Sequence, residues 1–134
     1  MTTAVDANVL IDVIGRANNF TPRAIAALDA SLQSGALVVC PIVVAETAAY
    51  FPSGQALHSA FDSMHLEMRA FGWADLHRAG EAYAVYCRRS REPRKRMLAD
   101  FLVAAHAVIH ADVLLTRDRG YYRTYFSELR LLEP

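Results

Sequence analysis

The sequence has little of what marks several common protein classes. It contains two cysteines, Cys40 and Cys87, without CxxC spacing, so we expect both to be reduced residues in or near the core. No apolar run reaches the roughly 18 residues of a membrane-spanning helix, and the N-terminus lacks a signal-peptide pattern. There are no internal repeats, low-complexity tracts or interdomain linkers. These absences predict a cytoplasmic protein in which residues 1–134 form a single domain large enough for a real core.

Lysine is nearly absent, and the charge is unevenly spread. Fourteen basic and fourteen acidic residues cancel, and all the basic ones except Lys95 are arginines, whose guanidinium groups suit bidentate phosphate contacts. Residues 1–66 hold two arginines against five acids, whereas residues 67–134 hold twelve basic and nine acidic residues. The segment 88–96 has six cations and one anion. Two interpretations remain open for it, a solvated loop or a phosphate-binding rim.

Apolar residues make up 54% of the chain, modestly above the usual range of about 45–50%. We interpret the excess as apolar surface that is reserved for a partner or for a second copy of the chain.

Short apolar runs alternate with helical patterns along the chain. Strands are expected at 3–6, 36–40, 66–70, 113–116 and 129–131, the third of them near an edge of the sheet. Helices are expected to begin at Thr21, at Pro41, after Ser53 and at about Ala74, and to cover 97–111. This alternation predicts an α/β fold with a mostly parallel sheet of four to five short strands and helices on both faces. In such sheets the ligand crevice lies beyond the carboxyl ends of the strands.

Four carboxylates occur beside apolar stretches, at the ends of the predicted elements. They are Asp6, Glu46, Asp100 and Asp118. Each belongs to an apolar stretch that is expected to be buried, where an unpaired charge is costly. One such acid is often only a cap or half of an ion pair. Four of them suggest a common site whose negative charge is balanced by a divalent cation.

Other polar residues near these acids have two interpretations each. Asn8 and Asp12 are candidates for supporting the first acid, although a structural role on a helix surface is favoured for Asp12. Thr116 either donates a hydrogen bond to a ligand carboxylate or phosphate, or simply packs in its strand.

The histidines and the C-terminal aromatic residues also admit competing interpretations. His106 and His110 are one helical turn apart, but no HExxH pattern or third ligand accompanies them, so we expect an exposed or capping pair and not a zinc site. The aromatic residues interleaved with Arg119 and Arg123 either stack on unpaired bases or cover the core. These aromatic residues are Tyr121, Tyr122, Tyr125 and Phe126.

Four motifs in order resemble those of PIN-domain ribonucleases, in particular the toxins of VapBC toxin–antitoxin systems. The residues that carry the resemblance are Val5–Asp12, Pro41–Glu46, Asp100–Ala107 and Leu114–Asp118. No single motif is very specific, but their order and spacing span nearly the whole chain. The resemblance implies a PIN-like three-layer fold and metal-dependent endonucleolytic cleavage of RNA.

The resemblance also implies roles for individual residues. Asp6, Asp100 and Asp118 are expected to bind Mg²⁺ or Mn²⁺, and Glu46 is either a further ligand or the group that orients the attacking water. The candidates for contacts with RNA are Arg94, Lys95, Arg96, Arg117 and Arg119. The implied partners are the RNA substrate, a cognate antitoxin protein and a second copy of the chain in a homodimer.

Rival classes explain the sequence less well. A phospho-receiver needs a strand-end lysine late in the chain, and Lys95 lies in a predicted loop. A haloacid-dehalogenase-type phosphatase needs Asp-x-Asp, whereas Asp6 is followed two positions later by Asn8. A catalytically silent PIN-like module that binds RNA or protein remains the alternative.

Overall fold

The structure is a computed structural model that describes residues 1–89, 96–118 and 120–134. Its strands are β1 (Thr3–Val5), β2 (Leu37–Val39), β3 (Leu66–Met68), β4 (Val113–Leu115) and β5 (Leu131–Leu132). They form one parallel sheet in the order β3-β2-β1-β4-β5. The pairing of Val5 with Leu115 sets the register between β1 and β4, and therefore determines which residues meet beyond the carboxyl ends of these strands.

Helices connect the strands. They are α1 (Ala7–Ile14), α2 (Thr21–Ser34), α3 (Pro41–Thr47), α4 (Gly54–Ser63), α5 (Trp73–Arg89), α6 (Leu98–His110) and α7 (Gly120–Tyr125), with a 3₁₀ turn at Ala48–Tyr50. Local sequence explains several of their ends. The Ser53 hydroxyl accepts a hydrogen bond of 3.1 Å from the Ala56 amide at the start of α4, which is the usual action of an N-cap serine. Pro41 occupies the first position of α3, where its missing N–H costs nothing.

Gly35 ends α2 because the chain comes very close to its own N-terminus there. A Cβ atom at this position would lie 1.8 Å from the carbonyl oxygen of Met1. The glycine is therefore required by the close approach of the two backbones.

Apolar layers cover both faces of the sheet, as alternate strand residues point to opposite sides. On one face, Val5 and Val39 pack with Val9 of α1 and Val43 of α3. On the other face, Ala4, Val38 and Leu114 pack with Phe101 and Ala104 of α6, together with residues of α5 and α7. The predicted three-layer α/β architecture is confirmed.

Several local expectations differ from the structure. The last strand lies at Leu131–Leu132 and not at 129–131, and the short helix α7 was not predicted. β3 is at the edge of the sheet, as expected. Ile25, Leu28 and Leu32 share one face of α2 by helical spacing, but only Leu28 is buried. Cys40 and Cys87 are free thiols, buried and half-buried respectively. In the described ranges, no helix is both long and apolar enough to span a membrane.

Candidate active site

The four predicted acids come from four elements that meet at the carboxyl edge of the sheet. Asp6 follows β1 directly and caps α1, whereas Asp118 lies three residues beyond the end of β4. Asp100 is in the first turn of α6, and Glu46 is in α3. Because β1 and β4 are paired neighbours, the acids that follow them are brought to the same edge.

Asp6 is held by hydrogen bonds on both carboxylate oxygens. Its Oδ1 accepts from the Ala7 amide at 2.7 Å, and its Oδ2 accepts from the Thr116 hydroxyl at 2.8 Å and the Tyr122 hydroxyl at 2.9 Å. The side chain is buried, with 8% of the residue exposed. The carboxylate is therefore fixed in one orientation, with its lone pairs shared among donors from the start of α1, the residue after β4, and α7.

Burial and mutual repulsion raise the pKa of two of the acids. Desolvation is the largest cause for Asp6 and outweighs its hydrogen bonds, and the charge of Asp118 adds to it. For Glu46, desolvation of the carboxylate comes first, followed by repulsion from Asp6 and Asp100. The four acids are thus within electrostatic reach of one another, so a cation among them would lower the cost of keeping them ionised.

A cation of the chain itself already contacts this group. The Arg96 guanidinium binds both oxygens of Asp118, with a distance of 3.3 Å between Nη2 and Oδ1 and a shorter contact between Nη1 and Oδ2. It also lies over the Tyr121 ring, 4.4 Å from the centroid, and the charge of Asp100 attracts it. A positive group therefore fits this pocket, and carboxylate oxygens are the ligands that Mg²⁺ and Mn²⁺ prefer.

The four acids differ in their exposure to solvent. Asp6 is buried, but Asp100 and Asp118 are half-buried and Glu46 is exposed. The apolar runs beside them enter the core, whereas the acids themselves lie where those elements end and face the open edge. The site is consequently accessible from solvent.

Asn8 and Thr116 link the acids to one another. The Thr116 hydroxyl, besides donating to Asp6, accepts a hydrogen bond of 3.0 Å from the Asp118 amide. The Asn8 amide group donates to the Thr116 hydroxyl at 3.2 Å, and its oxygen accepts from the Arg117 amide at 3.2 Å. Both residues therefore contact the groups they were predicted to support.

Asp12 does not lie on a helix surface, which corrects the favoured interpretation. It is 3% exposed, and its carboxylate pairs with Arg117 through contacts of 2.8 and 3.2 Å. Asn18 donates a further hydrogen bond of 3.2 Å to it, and the Arg117 guanidinium also lies over the Phe20 ring. Arg117, a candidate for RNA contact, is thus engaged in a pair that joins α1 to the loop after β4. The other candidates Arg94, Lys95 and Arg119 lie outside the described residues.

The aromatic residues of α7 and its C-terminal end mainly cover the core. Tyr121, Tyr122 and Phe126 are buried, and Tyr125 is half-buried with its ring 5.8 Å from that of Phe101. Stacking of the three buried rings on RNA bases is therefore excluded in this conformation. The role of Tyr122 as a hydrogen-bond donor to Asp6 was missed because 116 residues separate the two and no local pattern connects them.

The expectation of an exposed or capping pair at His106 and His110 is also wrong. His106 is 1% exposed, and its imidazole ring is tilted by 32° to that of His110, with the centroids 4.3 Å apart. Asp75 of α5, which sequence reasoning did not select, contacts His110 at 2.8 Å. This group lies apart from the four acids.

The fold is similar to those of several solved structures. A sequence search of curated proteins finds no match. Among solved structures, VapBC2 from Rickettsia felis bound to a promoter DNA fragment is similar with a TM-score of 0.73 and 18% identity, over 100% of this chain and 99% of that one. FitAcB from Neisseria gonorrhoeae gives 0.67 and 19%, over 97% and 96% of the two chains. VapBC-1 from nontypeable Haemophilus influenzae gives 0.66 and 16%, over 99% and 98%.

At these identities the likeness shows a shared fold, and the family follows from the sequence itself. The family model described as PIN domain matches residues 3–127, a span that includes all four acids and both neighbouring residues that link them. The chain therefore belongs to the PIN domain family, whose members are generally nucleases.

Proposed function

We propose that this protein is a metal-dependent endoribonuclease and the toxin of a toxin–antitoxin pair. The observation that carries the proposal is the convergence of Asp6, Glu46, Asp100 and Asp118 at one accessible edge of the sheet, around a position that attracts a cation. PIN nucleases typically use a divalent metal, and the all-oxygen donor set favours Mg²⁺ or Mn²⁺.

In this proposal Asp6, Asp100 and Asp118 hold the metal, and Glu46 either joins them or orients the attacking water. A bound divalent ion lowers the pKa of a coordinated water and neutralises charge that develops on the phosphate. Glu46 suits the second role because its carboxylate is exposed and its pKa is raised by desolvation and by Asp6 and Asp100. A carboxylate of raised pKa accepts a proton more readily near neutral pH.

The neighbouring residues position these groups. Thr116 and Tyr122 fix one oxygen of Asp6 and leave the carboxylate no freedom to rotate. Arg96 contacts Asp118 at the margin of the site, and once displaced from it the guanidinium is suited to a bidentate contact with an RNA phosphate. We extend the proposed contact with an RNA phosphate to Arg94, Lys95 and Arg119. We also extend it to Arg117, although its pair with Asp12 leaves it less free for such a contact.

We further propose a homodimer and an antitoxin partner, with 1–134 as a single domain that acts in the cytoplasm, where RNA is translated. Support comes from exposed apolar side chains, among them Trp73 (90% exposed), Met97 (73%) and Met68 (58%), since such surface is common at interfaces. Similar solved structures include a toxin-antitoxin complex from Klebsiella pneumoniae. An arginine of the antitoxin inserted among the acids would use the same contacts that Arg96 makes with Asp118.

The test is cleavage of RNA by purified protein with Mg²⁺ or Mn²⁺. We expect activity that EDTA abolishes and that Asp6→Asn and Asp100→Asn each abolish, whereas Asp29→Asn, which alters an exposed acid on α2, leaves activity unchanged. Equal cleavage by the wild type and the Asp6→Asn variant would overturn the nuclease proposal. Growth arrest on expression, relieved by co-expression of the neighbouring gene, tests the toxin proposal separately.

One observation favours the second candidate, a catalytically silent module that binds RNA or protein. Because Arg96 already pairs with Asp118, one of the four acids has a counter-ion within the chain. Calorimetric titration with Mn²⁺ separates the two functions, since a silent module has no need to exchange this arginine for a metal ion.

A further inference from the structure

Asp75, His106 and His110 form a compact cluster that the proposed nuclease chemistry does not use. Within the part of the chain that the structure describes, they are the one group of three metal-ligating side chains whose ligand atoms all lie within 4.8 Å of one another. Asp75 is in the first turn of α5, and both histidines are in the second half of α6. His110 is ten residues from Asp100, or about 15 Å along the helix, so the cluster is distinct from the acidic site.

The hydrogen bond of His106 identifies which of its ring nitrogens carries the proton. Its Nε2 lies 2.8 Å from the backbone carbonyl oxygen of Arg69. Because a carbonyl only accepts, Nε2 donates, and Nδ1 is the nitrogen with the lone pair in the neutral ring. Histidines that bind metals usually donate their other N–H to a carbonyl or carboxylate in this way.

The other two side chains present their ligand atoms to each other. His110 Nε2 and Asp75 Oδ2 are 2.8 Å apart. Side-chain exposure is 1% for Asp75 and 24% for His110. The cluster is therefore closed on the side of Asp75 and His106 and open to solvent beside His110, which leaves room for a water molecule as a further ligand.

A plain ion pair between Asp75 and His110 explains part of this arrangement. It does not explain the second imidazole, whose centroid lies 4.3 Å from that of the first and which is held by the Arg69 carbonyl. A metal ion bound by both imidazoles and by the Asp75 carboxylate would use all three side chains.

We propose that Asp75, His106 and His110 bind a transition-metal ion of the zinc class, which fastens the start of α5 to the end of α6. Two imidazoles and one carboxylate are a common three-ligand set for Zn²⁺, with water in the fourth position. Imidazole ligands favour Zn²⁺, Co²⁺ or Ni²⁺ over Mg²⁺, so this site and the acidic site differ in the metals that they select. Because an unfolded chain has no such site, binding stabilises the fold.

The test is calorimetric titration of the full chain with Zn²⁺ in excess Mg²⁺, alongside thermal unfolding. We expect one Zn²⁺ per chain and an increase in Tm, both retained in Asp6→Asn. We expect His110→Gln and Asp75→Asn each to weaken Zn²⁺ binding at least as much as removal of a ligand's hydrogen-bond partner does. Such a removal typically weakens metal binding by about 10- to 100-fold. His77→Gln, at an exposed position of α5, is the matched control and should bind as the wild type does.

Co²⁺ provides a readout that does not depend on the variants. Added to the wild-type protein, it should give the visible absorption bands of a four-coordinate site, and Zn²⁺ should remove them. Absence of these bands overturns the proposal, as does Zn²⁺ affinity that is unchanged in folded Asp75→Asn protein. Loss of Zn²⁺ binding in Asp6→Asn would also overturn it, because the ion would then occupy the acidic site. RNA cleavage is not measured here, so failure of this site leaves the nuclease proposal unaffected.

Discussion

Tyr122 donates a hydrogen bond of 2.9 Å to Oδ2 of Asp6, and thereby ties α7 to the end of β1. Burial, followed by the negative charge of Asp6, raises the pKa of the Tyr122 hydroxyl. The phenol therefore stays protonated at physiological pH and keeps the proton that it donates to Asp6. Together with Thr116 it stabilises the ionised form of an acid whose burial opposes ionisation.

Replacement of Tyr122 by Phe should impair the site without unfolding the protein. The change removes one hydroxyl that supports a proposed metal ligand, and losses of about 10- to 100-fold in metal affinity or activity are typical of such supports. Mn²⁺ titration and RNA cleavage rates are the measurements. Tyr125→Phe, on the same helix, is the control and should retain both. If Tyr122→Phe equals the wild type in both assays, Asp6 is oriented without Tyr122.

Replacement of Arg96 by Gln should have opposite effects on metal and RNA. The variant removes a cation that competes for Asp118, so we expect Mn²⁺ affinity to rise. The same change removes a phosphate contact, which should reduce the slope of log affinity for single-stranded RNA against log salt by about 0.7. Arg23→Gln, at an exposed position of α2, is the control. Unchanged Mn²⁺ affinity would show that the pair with Asp118 does not oppose metal binding.

The metal-free protein should become more stable, relative to a variant without Asp6, as the pH falls from neutral toward the ordinary carboxylate range. The pKa values of Asp6 and Glu46 are raised, mainly by desolvation, so the folded state takes up protons before the unfolded chain does. The favourable contribution of these groups is present at low pH and is lost as the pH rises through their folded-state pKa values. Urea unfolding in EDTA of the wild type and of Asp6→Asn gives the comparison. Identical pH dependence in the two proteins would contradict the assignment to Asp6.

The buried pair between Asp12 and Arg117 should respond unequally to removal of its two members. Arg117→Ala leaves a buried carboxylate without its cation, which costs about 3 kcal/mol or more of unfolding free energy. Asp12→Ala should cost about 1 kcal/mol, since the Arg117 side chain is 34% exposed and can turn to water. Urea unfolding measures both, with Arg16→Ala as an exposed control. A larger loss in Asp12→Ala than in Arg117→Ala would show that the pair is not governed by desolvation.

The main architecture could be predicted because it depends on local patterns. Runs such as 36–40 and 113–116 are apolar on both faces, which is typical of strands inside a parallel sheet. Gly35 and Pro41 indicated helix ends through backbone chemistry. Ile25 could not be placed in this way, because helical spacing indicates which residues share a face and does not tell how far the neighbouring helices extend over it.

The acids of the site were recognisable, but their neighbours were not. Asp6 and Asp118 stand out because charged residues follow apolar strands. Tyr122 and Arg96 looked like a core residue and a loop cation, and their contacts with these acids depend on how two distant segments return to the sheet edge. His106 looked like a surface residue because its carbonyl partner on Arg69 has no signature in the sequence.

The hydrogen bonds around Asp6 have a consequence for synthesis of the protein on the ribosome. Its two hydroxyl partners, Thr116 and Tyr122, are 110 and 116 residues away along the chain, so Asp6 leaves the ribosome long before either has been translated. The strand that carries Asp6 also gains its neighbour β4 only after residue 115 is added. A nascent chain therefore exposes an Asp6 carboxylate without its hydroxyl partners, and the hydrogen bonds that orient this carboxylate form only after residue 122 has been translated.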